Sequence, residues 1–242
     1  MRLCSFEHEP FEDVGLIADW MALRNHQHSV VKLYDHAPLP DIATFDAYII
    51  MGGGMGANDD NRFPWLTAEK DFLKKAYQHK LGLLGICLGA QLLSITLGGT
   101  VRKNEHKEIG WFPVLPTSTP SRLFPNQSMT VFQWHGDTFS IPPSTLHTFS
   151  SQPCHNQSFE SENGKIVGLQ FHIETNQQNV QRLIEGAPQD LLPPGPFIQS
   201  TDKMLSSTPS VTDQFALLCH FLDAWSSAVL KEPSYSANVH FN

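Results

Sequence analysis

Leu84-Gly85-Ile86-Cys87-Leu88-Gly89-Ala90-Gln91 sets a cysteine between two glycines, where an apolar run gives way to helical spacing. The run Leu81-Gly82-Leu83-Leu84-Gly85-Ile86 reads as a buried strand, and Leu88 to Leu97 reads as a helix ended by Gly98-Gly99. A side chain at such a corner sits on a strained backbone, and flanking glycines relieve the clashes that follow. The corner is also a helix N-terminus, whose partial positive charge favours a thiolate. Cys87 is therefore a candidate nucleophile, and the chain must supply a base elsewhere.

Far downstream, Ile166-Val167-Gly168-Leu169-Gln170-Phe171 is a second strand-like run, followed at once by His172-Ile173-Glu174. Residues two apart on extended backbone point to the same side, so His172 and Glu174 face one direction together. A cysteine, a histidine to take its proton and a carboxylate to orient the histidine make a nucleophile–base–orienter set.

Strands alternate with helical patterns through the first half. Arg2–Phe6, Ser29–Tyr34 and Ala47–Met51 read as strands. Phe11–Arg24 reads as a helix with Val14, Ile17, Trp20 and Met21 on one face, and Pro64 suits the first turn of a helix carrying Trp65, Leu66, Phe72, Leu73 and Tyr77. This rhythm predicts a three-layer α/β fold, a mostly parallel central sheet with helices on both faces. Loops in such sheets gather at the C-terminal ends of the strands, where Gly52–Gly56 and Cys87 both fall. From Thr100 to Phe171 the pattern changes to short β runs broken by Pro, Ser, Asn and Gly, with Met129–Trp134 the clearest, predicting a smaller antiparallel region. Pro188 to Pro196 is a proline-rich break, and Val211–Leu230 carries Phe215, Leu218, Cys219, Leu222 and Trp225 at helical spacing. Residues 1–185 are expected to form the main domain, with 186–242 a proline-rich connection and a helical extension packed on it.

Several segments in one order carry a resemblance. They are Gly52-Gly53-Gly54-Met55-Gly56, the Cys87 segment, Leu97-Gly98-Gly99-Thr100-Val101, Lys107-Glu108-Ile109-Gly110-Trp111, Trp134-His135-Gly136-Asp137, Asn156-Gln157-Ser158-Phe159, and Gly168 to Glu174. Together they resemble the class I (triad) glutamine amidotransferase domain, in particular its stand-alone branch similar to the amidotransferase half of GMP synthase. The resemblance runs from about residue 1 to about residue 185 and departs at Ile173, where many members carry proline. It implies the flavodoxin-like fold of that family. It also implies that Cys87 attacks the side-chain amide of glutamine, that His172 is general base and then acid, and that Glu174 orients it. Backbone N–H groups of Gly53, Gly54 and Leu88 would form the oxyanion hole. Gln91, one turn after Cys87 on the same helix face, and Asp137, an acceptor for an amino acid's ammonium, would bind substrate. Asn156 and Gln157 would add polar contacts, while Lys107 and Glu108 match the family without an assignable role.

Composition is consistent with an enzyme acting on a small molecule. A net charge of −8 without a basic block argues against a nucleic-acid surface, and no apolar run approaches the roughly 20 residues that span a bilayer. Cys4, Cys87, Cys154 and Cys219 lack metal-ligand spacing, and the start of the chain lacks a signal-peptide pattern, so no metal or cofactor and a reducing, cytoplasmic setting are expected. The glycine run lacks the Lys-Ser/Thr of a P-loop, and no Ser-Gly-Gly-x-Asp-Ser loop marks a synthetase site. Three chemical readings stay open: ammonia delivered to a partner synthetase, ammonia simply released, or hydrolysis of a γ-glutamyl peptide by the same triad. A fourth is a binding or regulatory protein on the same fold.

Overall fold

The computed structural model describes residues 1–231. Nine strands follow one another in the spatial order β2-β1-β3-β4-β9-β8-β7-β5-β6. The parallel half comprises β1 (Arg2–Glu7), β2 (Gln27–Lys32), β3 (Ala47–Ile50), β4 (Gly82–Ile86) and β9 (Ile166–Leu169). It continues into an antiparallel half of β8 (Ser158–Ser161), β7 (Thr145–Ser150), β5 (Val101–Pro116) and β6 (Met129–Phe139). The expected mostly parallel sheet with an antiparallel region is thus present. The two parts form one continuous strand order.

The parallel strands are apolar on both faces because both are covered. Along β3, Ala47 and Ile49 join one core with Leu84 and Ile86 of β4. Tyr48 and Ile50 point the other way, into a core with Leu83. Helices α1 (Leu16–Leu23) and α6 (Val211–Leu230) cover the first face with Ile17, Trp20, Leu218, Phe221 and Trp225. Helices α2 (Trp65–Gln78) and α3 (Leu88–Thr96) cover the second with Leu66, Phe72, Leu73 and Leu92. A third core forms where α4 (Gln177–Gly186) and α5 (Thr201–Ser206) pack Val180, Leu183 and Met204 on Ile109, Trp111, Phe132 and Trp134.

The boundaries differ from the sequence reading most clearly at α1, expected from Phe11 and found from Leu16. Gly15 stops the helix from starting earlier. Its φ is +48°, and its neighbour's amide, Leu16 N–H, donates to the Glu174 carbonyl at 2.8 Å. A Cβ on Gly15 would lie 2.4 Å from that carbonyl oxygen. The residues just ahead of it therefore leave the helix and run across the C-terminal ends of the strands. β5 and β6 are longer than expected, and a bulge between Lys103 and Glu108 sets Lys103 opposite Asp137.

Candidate active site

Cys87 joins β4 to α3 as the N-cap of the helix, with φ +51° and ψ −106°. This backbone region is strained for a residue with a Cβ. The adjacent glycines answer to space: a Cβ on Gly89 would lie 2.0 Å from the Ile50 carbonyl oxygen, and one on Gly85 would lie 2.5 Å from Gly89 backbone. They let α3 sit down on β3 and β4, while the cysteine alone takes the unusual φ. Its amide is held by the Leu169 carbonyl at 2.7 Å. Burial pushes the thiol up, while His172 and the Leu88 N–H pull it back down.

His172 follows β9 and is pinned to β6 by backbone hydrogen bonds with Phe132, 2.8 Å and 3.3 Å long. Its Nδ1 donates to Glu174 Oε1 at 2.7 Å. Nε2 has no nitrogen or oxygen partner, and the ring's other side-chain partner is the Cys87 thiol. Burial disfavours the imidazolium, but the Glu174 carboxylate and the Cys87 thiol outweigh it and raise His172 well above the usual histidine value. A carboxylate on one side and a thiol on the other set the ring to exchange a proton with sulfur.

Gly53 and Gly54 lie just past β3 and line the same cleft as Cys87 and Leu88. The loop is held from below by His8, whose Nδ1 meets the Gly52 carbonyl at 2.9 Å and whose Nε2 meets Glu69 at 3.1 Å. A backbone carbonyl on one ring nitrogen and a carboxyl group on the other favour the protonated ring. Glu69 raises it against the opposing effect of burial. The Gly54 N–H lies against the Glu9 carboxylate and partly offsets the upward push of burial on that group.

Gln91 is buried beside the thiol, its Nε2 donating to Gln170 Oε1 at 3.2 Å, and Gln170 Nε2 lies 3.7 Å from Cys87 Sγ. Asp137 faces the cleft at the end of β6, and Lys103 Nζ lies 2.8 Å from its Oδ1. An ammonium group thus occupies the position that the family resemblance gives to the ammonium of a substrate. The cavity encloses about 510 Å³, walled also by Trp134, Arg62 and Arg102. Gln157 does not line it. Its amide donates to Glu108 at 2.7 Å in a buried cluster with Ser151 and His135. Asn156 likewise caps the Phe139 carbonyl at 2.8 Å. Lys107 ties the outer wall, donating to the Asp190 and Leu192 carbonyls. Among the described residues no cluster of His, Cys, Asp and Glu suits a metal ion, and no helix is long and apolar enough to cross a membrane.

Sequence reading misses Glu12, His8 and Gln170. Glu12 lies in the stretch that reads as helix, and its carboxylate reaches the cleft with Oε1 3.9 Å from His172 Nε2. The one available signal is Gly15, which frees this stretch.

Cys87 at its strand–helix corner after β4 lies between the glycine loop that follows β3 and the His–Glu pair that follows β9, and residues 16–185 match the family model "Glutamine amidotransferase class-I". The chain belongs to the class I glutamine amidotransferase family. It is 29% identical over 199 residues to the glutamine amidotransferase-like protein YfeJ of Salmonella typhimurium, covering 79% of this chain and 83% of that one. It is 29% identical over 153 residues to a glutamine-hydrolyzing GMP synthase subunit of Saccharolobus solfataricus, covering 62% and 77% of the two chains. The crystal structure of a glutamine amidotransferase from Thermotoga maritima superposes with a TM-score of 0.85 at 29% identity, over 96% of this chain and 99% of the other.

Proposed function

We propose that the protein hydrolyses γ-glutamyl amides through a thioester on Cys87, releasing ammonia and glutamate when the substrate is glutamine. The observation that carries this reading is the His172 ring, with Nδ1 bonded to Glu174 and the Cys87 thiol as its other side-chain partner. His172 takes the thiol proton as sulfur attacks the γ-carbonyl carbon. The oxyanion forms against the N–H groups of Leu88 and Gly53, joined by that of Gly54 when it leaves the Glu9 carboxylate, and the proton then passes to the departing nitrogen. Gln91 and Asp137 hold the amino-acid end, the substrate ammonium displacing Lys103 from Asp137. A reducing, cytoplasmic compartment keeps Cys87, one of four free cysteines, in its thiol form.

A cavity of about 510 Å³ is of the size that encloses drug-sized ligands, which favours a γ-glutamyl peptide as a second substrate class beside glutamine. The relative named for GMP synthase raises the further option of a synthetase partner that consumes the ammonia. Purified protein is expected to release ammonia and glutamate from glutamine, or to split γ-glutamyl peptides, and Cys87→Ala is expected to abolish both. An electrophilic glutamine analogue is expected to label Cys87. A wild-type protein that turns over neither substrate and resists the analogue would be a binding or regulatory member of the family. Turnover stimulated by a co-purifying synthetase would identify the role of an ammonia-supplying partner.

A further inference from the structure

Glu12 lies ahead of residue 16, where the family match begins, yet its carboxylate lines the cleft with Cys87. The separation of 3.9 Å between its Oε1 and His172 Nε2 exceeds a hydrogen bond. It is the right separation for one nitrogen or oxygen atom lying within hydrogen-bond distance of both. Nε2 is buried with no nitrogen or oxygen partner and meets the Cys87 thiol, so once the sulfur has bonded to carbon it has a hydrogen bond to give or accept there. Gly52 creates the room: a Cβ there would fall 1.7 Å from Glu12 Oε1 and 3.3 Å from His172 Cε1. The missing Cβ at Gly52 thus lets the Glu12 carboxylate come up to 3.9 Å from Nε2.

We propose that Glu12 and His172 Nε2 form a two-point seat, which holds the departing nitrogen during acylation and the attacking water during deacylation. The inference rests on the thioester reading above. In acylation the S–C bond forms, the C–N bond breaks, and nitrogen takes from Nε2 the proton that came from the thiol. Glu12 accepts a hydrogen bond from an N–H of that nitrogen and exchanges no proton. Water then replaces the amine, donating one O–H to Glu12 and giving its other proton to Nε2. As the C–O bond forms the C–S bond breaks, and sulfur recovers the proton from Nε2. The thioester and water become the γ-carboxylic acid and the thiol, the acid losing its proton to solvent as glutamate, and Glu12 is unchanged.

The seat works as an acceptor, so it requires the ionised carboxylate. The titratable groups around Glu12 are His172, Glu174, His8, Glu9 and the Cys87 thiol. Burial pushes Glu12 up to about 7, with the two histidines pulling down and the two glutamates adding to the rise. Turnover therefore gains a component that increases with pH through about 7.

Glu12→Gln keeps the side-chain shape and removes the charge. Its kcat is expected to fall roughly 10- to 100-fold with KM within about threefold, and the rise near pH 7 is expected to vanish. Alkylation of Cys87 by iodoacetamide at pH 7 is expected to be as fast as in wild type or faster, because a negative charge beside the thiol is gone. Wild-type kcat and pH profile in the variant would overturn the seat. So would a parallel loss of turnover and alkylation, which marks a role in holding the fold. A wild type inert to glutamine and γ-glutamyl peptides would overturn the hydrolase reading and the seat together; an active wild type with an unaffected variant overturns the seat alone.

Discussion

At the scale of single residues, the site is a set of buried groups that set one another's charge. His172 pulls the Cys87 thiol down against burial, so His172→Ala is expected to push that thiol further up. Alkylation of Cys87 at pH 7 is then expected to slow at least about tenfold, read from the rate against pH. Glu174→Gln leaves the ring without the partner at 2.7 Å that fixes its tautomer, and kcat/KM is expected to fall ~10²–10⁴-fold with the fold intact by circular dichroism. Glu12 adds a pH-dependent cost. Its folded value, about 7, lies above the ordinary glutamate value of 4.5, so folding binds its proton more tightly. The stability this contributes is fully present below about pH 4.5 and is lost as pH rises to about 7. Glu12→Gln is expected to match wild type in urea unfolding near pH 4.5 and to exceed it at pH 8 by up to about 3 kcal/mol. Cys87, His172 and Glu174 are legible in the sequence because their spacing along strands fixes where they point. Glu12 is not, since it stands on irregular backbone whose course is set by a contact between Leu16 and Glu174, distant in sequence.

At the scale of elements, α3 and its glycines show how closely helix and sheet are fitted. Gly89→Ala drives a methyl against the Ile50 carbonyl, a backbone atom that cannot swing aside. It is expected to destabilise the protein by about 1–3 kcal/mol or more in urea unfolding, and to lower activity by lifting the helix that carries Leu88 and Gln91. The regular elements are the most legible. The bounds of α6 agree with its apolar spacing, and β3 and β4 agree within a residue, because a strand or helix buried along a whole face shows its period directly. α4 escapes sequence reading: its N-terminus is set by Asn176, whose side chain caps two amides, and its apolar stripe is narrow. The inward turn of Gln157 is equally hidden, since it depends on a hydrogen bond to Glu108, 49 residues away along the chain.

Across the whole molecule, the site lies where the parallel and antiparallel halves of the sheet meet. One half delivers Cys87, His172 and the glycine loop, and the other delivers Trp134 and Asp137. The last helix bears on this arrangement from outside. α6 sends Trp225 and Phe221 into the core behind β9, with the Trp225 indole donating to the Lys165 carbonyl at 3.0 Å and Gln214 holding the Thr175 carbonyl at the same distance. Trp225→Ala is expected to cost about 3–5 kcal/mol, and a chain cut after residue 210 is expected to give no cooperative unfolding transition. That result would join residues 186–231 to the main domain as one folding unit.

The positive φ of Cys87 sets chemistry against durability at a single position. Glycine adopts that backbone freely, so Cys87→Gly is expected to outlast the wild type under heat even as it loses all turnover. A lineage released from catalysis would be rewarded for drifting toward glycine here. Cysteine in so uncomfortable a posture is a standing handicap, and only work done by its sulfur would repay it.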